Sequence, residues 1–113
     1  MAANHDAIIN QAVTSADVVA APAYAKQYIR VHGWNVSSVT AGTTFKFQSY
    51  NATTQTDKTG AMPLASGVAN VMQAPDSEGF LFECNSGDSL RMVLSGNTAT
   101  GILLYSIRGP LNN

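Results

Sequence analysis

The side chains whose types could carry chemistry are few. They are the histidines His5 and His32, the single cysteine Cys84, and the carboxylates Asp76, Glu78, Glu83 and Asp88 near turns. A histidine beside Cys84 would make an activated thiolate nucleophile. However, Cys84 alternates with Phe80 and Phe82 in Phe80-Leu81-Phe82-Glu83-Cys84, the spacing of one strand face, so it reads as a small buried hydrophobe. General acid/base work needs carboxylates held in a shaped cleft with shifted pKa values. Asp76 with Glu78, and Glu83 with Asp88, sit instead in or beside turn clusters, where carboxylates form turns and solubilise. Asp88 follows Gly87 without the repeated aspartates of a calcium loop. The glycines are scattered and form no phosphate-binding loop. A lone cysteine excludes an internal disulfide and a multi-cysteine zinc site. Trp34 with the tyrosines offers a sugar-binding platform, but one Trp beside a strand reads better as a core or interface anchor. The expectation is a protein that is not an enzyme and carries no metal or cofactor.

The elements around these residues are short and β-rich. Thr43 to Ser49 shows the cleanest alternation, with Phe45 and Phe47 inward and Lys46 and Gln48 outward. In Gln27 to His32, Ile29 and Val31 share a face, but Trp34 and Val36 fall on the other parity, so either Gly33 is a bulge that resets the faces or the strand is covered on both sides. Pro63 within Ala61-Met62-Pro63-Leu64 donates no ladder hydrogen bond, which predicts an edge strand or an apolar lid. Weaker strands are predicted at Gly67 to Met72 and Phe80 to Cys84. Leu90 to Leu94 alternates well, and Gly101 to Ile107 is apolar on both parities, as in a central strand or one with a second covered face. Turns fall about every ten residues, the spacing of a β-sandwich or jelly roll. The fold expected is a single all-β antiparallel β-sandwich, jelly-roll-like, over residues 26–109. Before it lie residues 1–25: Ala7, Ile8, Gln11 and Ala12 have the spacing of a short helix within Asp6 to Val19, but the valines and the Thr/Ser residues favour a flexible or extended N-terminal arm, with at most a strand near Asp17 to Ala20; residues 110–113 form a tail.

Composition narrows the function classes. Of 113 residues, 12% are charged and 45% are hydrophobic, with a net charge of −1. Charge is about half of the roughly 25% usual in soluble domains, and such a surface is weakly defended against association. The 6 Lys and Arg are too few and too spread for a nucleic-acid stripe. No run approaches 18 apolar residues, so no membrane span is predicted, and Met1 to Asn10 lacks the features of a signal peptide. Two glycosylation sequons, at Asn35 and Asn51, are then coincidental.

Tyr28 to Gly109 resembles the small jelly-roll-like virion accessory proteins of tailed bacteriophages, notably capsid decoration or cement proteins. The matching pieces are Tyr28-Ile29-Arg30-Val31, Thr44 to Ser49, Thr59-Gly60-Ala61-Met62-Pro63-Leu64-Ala65, Pro75 to Phe82, Gly87-Asp88-Ser89-Leu90 and Gly101 to Tyr105. Thr59 to Ala65 is the most specific. The resemblance implies a structural virion protein, made in the host cytoplasm, that binds the outside of the major capsid protein shell. It also implies a homo-oligomer, with a trimer favoured over a dimer. In that picture the arm lies across capsid subunits, with Ile8, Ile9, Val13, Val18 and Val19 as anchors. Trp34, Met62, Pro63 and Leu64 are the candidates for contacts between copies. A neck or tail-fibre component, or a carbohydrate- or receptor-binding module using an exposed Trp34 cluster, is the alternative.

Overall fold

The computed structural model describes residues 5–38, 42–65, 67–75, 79–96 and 98–111. These residues form strands β1 (His5–Gln11), β2 (Ser15–Val19), β3 (Tyr28–Ser37), β4 (Thr43–Tyr50), β5 (Gln55–Asp57), β6 (Met62–Leu64), β7 (Asn70–Gln73), β8 (Phe82–Glu83), β9 (Ser89–Leu94) and β10 (Ala99–Arg108). All pairings are antiparallel. One sheet has the order β1-β10-β3-β7, with β8 also on β3; the other has the order β2-β9-β4-β5, with β6 also on β4. β7 and β8 pair with successive stretches of β3, and β5 and β6 with successive stretches of β4. Each pair acts as one interrupted strand, which leaves two four-strand layers wound as a jelly roll. The β-sandwich expected from the turn spacing is the fold observed.

Strand alternation builds the core. Phe45 and Phe47 on β4, Leu90, Met92 and Leu94 on β9, and Ile29, Val31 and Val36 on β3 are buried between the sheets. Trp34 packs at 5.0 Å from Phe47 and edge-on to Phe45 at 6.3 Å between ring centroids. This is the separation and tilt that aromatic quadrupoles favour. A bulge, one of the two causes the sequence offers, accounts for the parity change within β3. The register with β10 shifts between Tyr105↔Val31 and Leu104↔Gly33, so His32 is the extra residue of a bulge. Without it, Trp34 and Val36 would face solvent.

Several expectations are corrected. Residues 1–25 are not an arm clear of the sandwich over their described part. β1 pairs along its whole length with β10, and β2 pairs with β9. Ile9 and Val19 are core residues: the unbroken register of β1 turns Ile9 inward, and the register shift between Asp17 and Val19 turns Val19 inward. Trp34 is only 5% exposed and donates from Nε1 to Asn70 Oδ1 at 3.0 Å, and Leu64 is buried too; neither can offer its side chain to another copy. Phe80 does not share the buried face of Phe82. It is exposed and lies against the Arg30 guanidinium at 4.3 Å, since the strand begins only at Phe82. Pro63 is exposed opposite Thr44 on the short edge strand β6, and Met62 is half-buried.

Candidate docking face and charged face

The two outer faces of the sandwich differ in chemistry. On the β1-β10-β3-β7 sheet, the registers align Ile8 with Ile102, Ile102 with Asn35, and Asn35 with Val71. These residues form one row across four strands. Ile8 is 81% exposed, Ile102 50% and Val71 58%. The next row runs Asp6, Leu104, Gly33 and Gln73. Gly33 has no side chain because a Cβ would lie 2.9 Å from the Met72 carbonyl oxygen. A shallow hollow of 330 Å³ lies between Leu104, Ile102, Val71 and Gln73. Three exposed aliphatic residues in register on one sheet face are unusual for a surface meeting only water.

The opposite face carries charge in a ladder. Its central row is Asp17, Arg91, Gln48 and Asp57. Arg91 Nε lies 3.2 Å from Asp17 Oδ1, and its guanidinium stacks over Tyr50 at 3.4 Å. Asp57 accepts from Gln48 Nε2 at 2.7 Å and from Lys46 Nζ at 3.1 Å. The Gln48 amide and the Lys46 ammonium hold its carboxyl below the usual carboxylate range. Cross-strand pairs of opposite charge on such a solvated face are screened by water and contribute little to stability.

The residues that could have carried catalysis are engaged structurally. His32 is buried, with Nδ1 2.7 Å from the Gly79 carbonyl oxygen and Nε2 2.8 Å from Ser106 Oγ. Because Nδ1 faces a carbonyl oxygen, which only accepts, Nδ1 carries a proton and donates it there. His32 thus fastens Gly79, ahead of β8, at the bulge. His5 stacks loosely on Tyr105. Asp88 is buried and accepts from Ser49 Oγ and Asn51 Nδ2, both at 2.8 Å, closing the turn at residues 85–88. Glu83 pairs with Arg30 at 2.6 Å. Cys84 is buried, and desolvation pushes its thiol up to about 12. Asp76 and Glu78 lie outside the described residues. Among the described residues, no group of three or more His, Cys, Asp or Glu is placed to hold a metal ion, and no helix is long and apolar enough to cross a membrane.

The predicted contact residues therefore separate. Ile8 and Val13 are exposed on the N-terminal flank, Val18 is half-buried, and Ile9 and Val19 are inside. Ile102 and Val71 complete the exposed row, and sequence reasoning did not single them out. The signal for Ile102 was present, since Gly101 to Ile107 is apolar on both parities. Val71 lay in a strand too short to show which face it uses.

Neither protein-family models nor curated proteins gave a match to this chain. Among solved structures, the fold is similar to a subunit of the disulfide-linked pili that form Bacillus endospore appendages. The TM-score is 0.59 and the identity 18%, covering 99% of this chain and 88% of that one. At that identity the likeness is one of fold.

Proposed function

We propose that this chain is a non-catalytic structural subunit of a large assembly, a phage capsid decoration protein that docks on the outside of the major capsid protein shell and stabilises it. The observation that carries the docking part is the in-register row Ile8, Ile102 and Val71 on one face, opposite a face laddered with charge. A thin two-sided slab of this kind, 20 Å in its shortest dimension, can lie on a surface with its charged face to water. The resemblance of Thr59 to Ala65 and the flanking strands to virion accessory proteins supports the capsid as that surface. Many copies on one shell add by avidity, so each contact can be weak. The test is co-sedimentation of the purified chain with expanded capsid shells that lack it. Binding that is lost on Ile102→Lys supports the reading, and no binding by the folded wild-type chain overturns it.

A second reading is a self-polymerising appendage subunit, favoured by the pilus-type fold neighbour. The one thiol here, Cys84, is buried, so this reading would not include the disulfide linkage named for that neighbour. Filaments formed by the purified chain alone, seen by electron microscopy, would select it over the capsid reading.

A further inference from the structure

The N-terminal segment His5–Val19 is built into the sandwich in an unusual way. It supplies the outermost strand of both sheets on the same flank, β1 on β10 and β2 on β9. The strands from Tyr28 onward form both sheets without it. Its inward side chains still complete the core: Ile9 and Val19 are buried, and the buried Gln11 amide donates to the Met92 and Val13 carbonyl oxygens at 3.0 and 2.9 Å. If the segment left and nothing replaced it, the edges of β9 and β10 and the sockets of Ile9 and Val19 would be open to water. Its outward side chains Ile8 and Val13 are exposed and apolar, with no comparable cover.

The connection to the rest of the chain permits exchange. Residues 20–26 make no strand pairing and are exposed apart from the half-buried Pro22. They turn into β3 through the Gln27 amide donating to the Tyr24 carbonyl at 3.0 Å. Fully extended, a connection of this length reaches roughly 23 Å. Because β1 and β2 are edge strands, that reach serves a neighbour packed against the same flank.

We infer that His5–Val19 is an exchangeable ribbon: in the assembled state it completes both sheets of a second copy of this chain, whose own ribbon passes on or returns. This inference rests on the proposed reading as an assembly subunit and adds how copies are linked. Every hydrogen bond and core contact made within one chain is reproduced between chains, so exchange costs little beyond opening the connection. At the high local concentration of an assembly, exchange is then favoured by mass action. It joins copies through the cores of their folds and needs no cysteine.

The experiment uses the full chain with cysteine pairs at register partners. In one variant Asn10→Cys is combined with Thr100→Cys across β1 and β10; in a second, Ser15→Cys is combined with Val93→Cys across β2 and β9. Directly opposed strand residues lie within disulfide range, and Cys84 stays in place because it is buried. Each variant is oxidised as dilute protein and after assembly, on shells or at the highest reachable concentration, then run denatured without reductant. The expected result is monomers from dilute protein and covalent dimers or longer ladders from assembled material, in both variants. Assemblies that yield only internally linked monomers overturn the exchange and leave the assembly reading standing. A chain that stays monomeric under every condition, and does not bind shells, overturns both.

Discussion

Gly101 sits in β10 with φ at 151°, a conformation that L side chains rarely adopt, and a methyl group there would overlap the Asn35 carbonyl oxygen of the neighbouring β3. Gly101→Ala should therefore destabilise the fold by about 3 kcal/mol or more, read as a lowered urea midpoint. Cys84 supports a prediction of a different kind. Burial raises its thiol from near 9 to about 12. The unfolded chain ionises from about pH 9 while the folded chain keeps its proton, so stability is complete below that pH and falls across the interval up to 12. Urea midpoints at pH 8 and pH 10.5 should show a drop in the wild type that is smaller in Cys84→Ala. The native thiol should also resist alkylation until the chain unfolds. The buried, inert character of Cys84 was legible in its alternation with Phe82. The roles of His32 and Asp88 were not. Both depend on partners far along the chain, Ser106 for His32 and Ser49 for Asp88, and no local pattern encodes those meetings.

At the scale of elements, neighbouring isoleucines on β1 separate folding from assembly. Ile9 lies in the core and Ile8 on the surface. Ile9→Ala should cost about 3 kcal/mol by lost burial and the cavity left behind. Ile8→Ala should change stability by less than about 0.5 kcal/mol and weaken docking instead; thermal unfolding and shell binding of the two variants check this. β1 and β2 were hard to read because Gln11, a polar residue, takes an inward position beside Ile9 and hides the period-two pattern. β4, with Phe45 and Phe47 inward, had no such disguise. The bulge was legible from the parity change between Val31 and Trp34, although its extra residue is His32, one position before the glycine. Pro63 correctly marked an edge. Phe80 misled because aromatic content suggested a strand where the chain runs as a loop held by Arg30.

At the scale of the whole molecule, the charge-poor composition pointed to a surface that meets protein, and the structure locates where charge is scarce. The jelly-roll winding brings β1, β10, β3 and β7 side by side, so residues from three distant parts of the sequence, Ile8, Val71 and Ile102, share one row. Such a row is invisible to any reading of one segment at a time, because register and strand order create it. Charge on that sheet lies outside the row, at Asp6 and in the Arg30–Glu83 pair, while on the opposite face Arg91 and Asp17, and Lys46 and Asp57, compensate each other across the centre. The most direct test of docking through the apolar face is co-sedimentation with expanded capsid shells. It should be compared between the wild-type chain and Val71→Lys with Ile102→Lys, two exposed substitutions that leave the core intact. Shell binding by the wild type that the folded double variant has lost is the predicted result. Equal binding by both chains, or a folded wild type that binds no shell, would contradict it.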